Sequence, residues 1–154
     1  MQSNTCPHCG ASMKEYWHNL TPGLVNCLIK AIKAVKKSNR NVFHWQELGL
    51  TTVEANNLQK LRYFGLIAHA TKDEHNSGYW LITARGGQFL RGELAVPCRV
   101  KTFRNRVIDH DTETMLISKY KGQTGWFESE FQFDIRDGML VEMPQPEIKQ
   151  LSLI

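Results

Sequence analysis

The run Leu58-Gln59-Lys60-Leu61-Arg62-Tyr63-Phe64-Gly65-Leu66-Ile67-Ala68-His69-Ala70 sets the order of elements in this chain. Leu58, Leu61 and Phe64 recur at helical spacing. Gly65 supplies a left-handed residue that ends a helix, and the apolar piece from Leu66 to Ala70 reads as a strand. Polar, turn-rich residues 71 to 78 follow, and Tyr79-Trp80-Leu81-Ile82 reads as a second strand, so the two strands make a hairpin.

Upstream, Thr51-Thr52-Val53-Glu54 fits a capping box, in which the Thr51 hydroxyl and the Glu54 carboxylate each satisfy backbone N–H groups at the start of a helix. That helix is expected over residues 52 to 64, with Ala55, Leu58, Leu61 and Phe64 facing inward. Gly49-Leu50 makes the preceding turn, and residues 42 to 48 read as a brief extended piece leading into one or two helical turns. Thr21-Pro22 starts an earlier helix, because a hydroxyl caps free N–H groups and proline loses nothing at the first helical position. Its apolar stripe is Leu24, Val25, Leu28, Ile29, Ile32 and Val35, and its end is expected between Ser38 and Asn41. A last short helix begins at Thr83 and carries Phe89 and Leu90.

Three helices followed by a hairpin is the order of a winged helix-turn-helix domain. The run from Leu58 to Ile67, then Gly78-Tyr79-Trp80-Leu81-Ile82-Thr83, Gly86 or Gly87, Phe89 and Leu90, resembles the recognition-helix, wing and exit-helix pattern of small bacterial and phage winged-helix proteins. The resemblance spans residues 21–92. It is a packing pattern, so it speaks to fold more than to function. It implies that residues 52 to 64 present Asn56, Asn57, Gln59, Lys60 and Tyr63 outward, with Arg62 nearby, to duplex DNA. Amides can bond adenine edges, and Lys and Arg can reach phosphates. The alternative is a protein-interaction or assembly module, as a homodimer or with another protein, in which the same face is a solvated polar surface. Packing of the C-terminal part on residues 52 to 64 would close that face.

From Val96 the texture changes to short alternating pieces: residues 100 to 103, Val107-Ile108, Met115-Leu116-Ile117 and residues 126 to 133. Turns are expected at Asn105-Arg106, at Asp109-His110-Asp111 and at Lys121-Gly122-Gln123. Trp126, Phe127, Phe131 and Phe133 are the expected apolar core of this part. The organisation read from sequence is α+β. It comprises a short Cys-x-x-Cys segment over residues 1–20, a winged-helix domain over 21–95, a small β-rich appendage over 96–143 and an extended tail over 144–154.

The apolar fraction of 42% over 154 residues is enough for a sizeable core without disulfides. No run approaches the roughly 18 apolar residues of a membrane span, and the first residues lack a secretory pattern, so a cytoplasmic location is expected. Net charge is +4 but uneven: residues 1 to 106 hold 15 Lys+Arg against 6 Asp+Glu, and residues 107 to 154 hold 4 against 9. A basic front suits a polyanionic partner. The wing carries Lys72 against Asp73 and Glu74, a poor phosphate grip, whereas Arg99 and Lys101 alternate so as to share one strand face.

Cys6-Pro7-His8-Cys9-Gly10 is the sharpest chemical signal, since two thiolates two residues apart with a following glycine form half of a structural zinc site. His18, Cys27, Cys98 or the same pair from a second chain could complete it. The same four residues occur in disulfide-oxidising thioredoxin-fold proteins, but only five residues precede Cys6, so no strand delivers it. Two free thiols are the remaining reading. Cys27 and Cys98 read first as small buried apolar residues. Asp109-His110-Asp111 is a metal motif on paper only, and His44, His69 and His75 have no visible partner. No phosphate-cradling glycine loop or nucleophile motif occurs, so no enzymatic activity is expected.

Overall fold

A computed structural model describes residues 14–38, 41–70, 78–126, 133–136 and 139–142, the last two stretches as backbone. The architecture is α+β. Helix α1 (Pro22–Ser38) starts where Thr21 Oγ1 accepts the Leu24 N–H at 3.2 Å. Its stripe of Leu24, Val25, Leu28, Ile29, Ile32 and Val35 is buried, together with Cys27. Strand β2 (Phe43–His44) and a 3-10 turn (Trp45–Leu48) follow, closed by Gly49 at φ 64°. Helix α2 (Thr52–Asn57) passes into a 3-10 helix (Leu58–Phe64) that ends at Gly65, φ 75°. Strands β3 (Ile67–His69) and β4 (Tyr79–Ile82) pair antiparallel, and β2 joins the far side of β4, giving the order β2-β4-β3. Buried Asn41 bonds both backbone groups of Ile82 and so ties the end of α1 to this sheet.

Helix α3 (Ala84–Leu90) is capped by the Thr83 hydroxyl on the Gly86 N–H at 3.0 Å. Gly86 lies against strand β3's approach. A Cβ there would run into the Leu66 carbonyl oxygen and the Ile82 side chain. Because that neighbour is backbone, Gly86→Ala is expected to cost about 1 to 3 kcal/mol in urea unfolding.

After α3 come β5 (Val96–Pro97), β6 (Arg99–Phe103), β7 (Arg106–His110), β8 (Thr114–Met115), a 3-10 turn (Ile117–Tyr120) and α4 (Lys121–Thr124). A backbone hairpin of β9 (Phe133–Arg136) and β10 (Met139–Glu142) runs alongside α3. Val96, Val100, Met115, Ile117, Tyr120 and Trp126 belong to the same apolar cluster as the helices. The Trp126 indole N–H donates to the Leu90 carbonyl at 2.8 Å. Among the described residues, no helix is long and apolar enough to cross a membrane.

Five local expectations are corrected. Glu15–Asn19 is a strand, β1, paired antiparallel with β6 in a sheet of order β1-β6-β7. The β6–β7 turn sits on Arg104-Asn105, both with positive φ (52° and 64°), one residue earlier than the sequence suggests. Asp109 and His110 are strand residues of β7, because their backbone pairs with Lys101 and Val100 and outweighs the turn preference of Asp. Met115-Leu116-Ile117 is divided, the strand stopping at Met115.

The fifth correction concerns residues 52 to 64, which are not one α-helix. Ala55, Leu58, Leu61 and Phe64 are spaced by three. In an α-helix each such step falls about 60° short of a full turn, so the row would drift off the core. Winding at three residues per turn removes the drift. Leu58, Leu61 and Phe64 are accordingly all buried in the 3-10 segment, while Ala55, in α2, is half-buried.

Candidate nucleic-acid interface

The start of α2 is fixed by the expected capping box. The Glu54 N–H donates to Thr51 Oγ1 at 3.2 Å, and the Thr51 N–H donates to Glu54 Oε1 at 3.0 Å. Lys30 of α1 also reaches the Glu54 carboxylate, with Nζ 3.1 Å from each oxygen. The Thr51 N–H first, and then Lys30, hold the Glu54 carboxyl below its ordinary value of 4.5. A carboxyl lowered on folding adds stability above its unfolded value and loses it as pH falls through the lowered one. Glu54→Ala is therefore expected to cost about 1 kcal/mol at neutral pH, and the difference from the parent should vanish in thermal melts at strongly acidic pH.

Three-residue winding sorts the six residues expected to face DNA into two rows. Asn56, Gln59 and Arg62 form one. Asn56 and Gln59 are exposed beside a groove of about 260 Å³ that Trp45 and Trp80 also line. Arg62 is half-buried, its Nε enclosed and without a hydrogen-bond partner among the described residues, and its guanidinium lies 5.3 Å from the Tyr63 ring centre. Thr52 and Val53 extend the open surface toward the N-terminus, Val53 being 68% exposed.

Asn57, Lys60 and Tyr63 form the second row, and all three are half-buried because they face strand β1. Tyr63 donates to Asn105 Oδ1 at 3.3 Å and lies 5.1 Å from the His18 ring. The sheet thus packs against this row and half-buries it, while Asn56 and Gln59 stay exposed.

The space between the second row and β1 is a groove of about 490 Å³. Register places Tyr16 opposite Thr102 and His18 opposite Val100, so Lys14, Tyr16 and His18 share the face turned to the helix. His18 Nε2 lies 2.9 Å from Thr102 Oγ1, and burial first, then the Lys60 charge, lowers its imidazole below the usual value. Lys14, Lys60 and Arg104 line this groove, with no carboxylate among the described residues that line it.

On the opposite face, Trp17 is bracketed by Arg99 at 4.3 Å and Lys101 at 5.4 Å. The expected alternation of these two cations on one strand face is present. Each is partly neutralised, Arg99 by Asp111 at 3.1 Å and Lys101 by Glu15 at 3.0 Å.

Cys6 and Cys9 lie outside the described residues. Of the residues that could complete a zinc site, His18 is engaged with Thr102. Cys27 is buried with its thiol 4.0 Å from Glu54, and burial and that carboxylate push the thiol up to about 11. Cys98 is half-buried, its thiol also raised, chiefly by burial. No group of three or more His, Cys, Asp or Glu is placed to hold a metal among the described residues. Asp111 serves instead as an ion-pair and turn residue, accepting from Arg99 and from the Glu113 N–H.

Sequence reasoning missed Lys14, Tyr16, Thr102, Arg104 and Asn105 as groove residues. The available signal was the β-prone pair Tyr16-Trp17 inside a five-residue run, but its partner strand lies more than eighty residues away. Comparison of the chain with family models, with curated proteins and with solved structures finds no match.

Proposed function

We propose that the chain is a DNA-binding protein of the winged helix-turn-helix class that enters the major groove with the first turns of residues 52 to 64. The observation that carries this reading is the row of Asn56 and Gln59 in solvent, continuous with exposed Thr52 and Val53, on a helix start pinned by a capping box and by Lys30. The order of helices with a hairpin after them, and the strand order β2-β4-β3, support the class. Asn56 and Gln59 are assigned to base edges. Lys60, at the rim of the second row, is assigned to a phosphate, and Tyr63 positions the helix against His18 of β1 and Asn105 of the β6–β7 turn, with the Arg62 guanidinium on its ring. Loss of one amide contact to a base is expected to cost about 1 to 3 kcal/mol at a single base position. Asn56→Ala and Gln59→Ala should therefore alter sequence preference in a selection from random duplexes. Unchanged preference in both variants sinks the assignment.

Zinc held by Cys6 and Cys9 remains part of this proposal, on the spacing of the two thiols and Gly10. Metal analysis of untagged protein is expected to find about one zinc per chain, or half that if two chains share an ion, and Cys6→Ser should abolish it. Stoichiometric zinc after loss of both thiols overturns it.

Self-association is favoured by a separate observation. Among the described residues strand β7 is an edge of its sheet, with Val107 and Ile108 exposed at 45% and 49%. Antiparallel pairing of two copies about the Val107–Ile108 bond would set each Arg106 opposite the other Asp109.

A further inference from the structure

We infer that the groove between β1 and the 3-10 helix binds an unpaired nucleotide, with a base stacked on Tyr16 and its phosphate held by Lys14, Lys60 and Arg104. Four observations meet there. Tyr16, His18 and Tyr63 form a ladder of rings, with centres 6.4 Å apart for the first pair and 5.1 Å for the second. Its outer member, Tyr16, is 45% exposed, with Lys14 Nζ 5.4 Å from its ring centre, so a ligand ring on Tyr16 would lie beside a cation. The inner members are fixed, His18 by Thr102 and Tyr63 by Asn105, so stacking costs little reordering. The three cations line the same groove, and the exposed Gln59 amide stands at its rim to bond a base edge.

Aromatic faces beside cations are the arrangement that takes single-stranded nucleic acid, because every base has a π-face and the backbone follows the charge. A duplex base cannot enter such a groove, since its faces are already stacked. The volume of about 490 Å³ falls in the range of small-ligand sites and suits one nucleotide. A second space of about 380 Å³ shares His18 and Lys60 with it and runs on past Asn57 toward Thr21, where Glu54, paired with Lys30, also lines it. This inference does not rest on the duplex reading: Gln59 and Lys60 enter both, but Tyr16, Lys14 and Arg104 belong to the groove alone and Asn56 to the duplex surface alone.

The test is fluorescence anisotropy of the full chain with a labelled thymidine oligomer of about twelve nucleotides, which forms no duplex, at about 50 mM salt. Tyr16→Ala is expected to weaken binding about fivefold to a hundredfold, the range of one lost stacked base, and Tyr16→Trp to retain it. Asn56→Ala should leave the oligomer's affinity unchanged, so failure of the duplex reading and failure of this one are separable. Displacement of the oligomer by millimolar thymidine monophosphate would identify a free nucleotide as sufficient, whereas displacement only by longer strands would identify a single strand; both support the groove. Should Tyr16→Ala not fold, photo-cross-linking of a bromodeoxyuridine oligomer to the unaltered protein is expected to mark the peptides holding Tyr16 and Tyr63. No measurable binding of the oligomer, equal affinity of folded Tyr16→Ala, or cross-links confined to other peptides overturns the inference.

Discussion

Trp126→Ala is expected to destabilise the protein by about 3 to 5 kcal/mol, the largest effect foreseen for any single substitution here. The indole is only 6% exposed and packs in the cluster that holds α1 and α3, and its N–H satisfies the carbonyl of Leu90. Removing it opens a cavity and strands that carbonyl. Trp126→Phe separates the two contributions: most of the packing returns and the lost hydrogen bond costs about 0.5 to 1.5 kcal/mol. Urea unfolding of the three proteins measures both. A cost below about 0.5 kcal/mol for the alanine variant would mean that residues following Val96 do not share the helical core.

Leu61→Ala follows at about 2 to 5 kcal/mol, while Lys60→Ala should stay within about 0.5. The contrast between neighbours tests the three-residue winding directly. Leu61 is fully buried and lies between Leu58 and Phe64 on the same row, whereas Lys60 stands one row over at the edge of the groove. Equal costs would mean that the row has been assigned to the wrong face.

The parts of the fold that sequence makes legible are those set by local chemistry. Thr21-Pro22, the Thr51–Glu54 box and Gly65 mark helix ends through hydrogen bonds and backbone conformations that depend on residues within a few positions. The β3–β4 pairing follows from two apolar runs with turn-rich chain between them. What is not legible depends on distant pairing or on a degenerate period. Strand β1 exists because β6, more than eighty residues later, offers its edge, and nothing within the run Glu15–Asn19 specifies that partner. Apolar residues three apart suit either an α-helix or a 3-10 helix over one turn, so Leu58, Leu61 and Phe64 point to a helix without fixing its winding. That ambiguity matters for the site. With 3-10 winding, Tyr63 and Lys60 fall beside His18, and two rows take the place of one continuous DNA-facing surface.

The two rows also explain how a single helical segment can carry distinct contacts. Glu54 and Lys30 hold its beginning to α1, and Tyr63 and Asn105 hold its end to the β6–β7 turn. Asn56 and Gln59 are left projecting from a support fixed at both ends, which under the DNA-binding proposal would set the positions of both amides.

The affinity of the full chain for generic duplex DNA as a function of salt tests the DNA-binding proposal most directly. Phosphate contacts release counterions, so log affinity should fall linearly with log salt, and Lys60→Ala should make that slope shallower by about one. Absence of binding to duplex at about 50 mM salt, or an affinity that does not change with salt, would contradict the proposal and leave assembly through β7 as the reading to pursue.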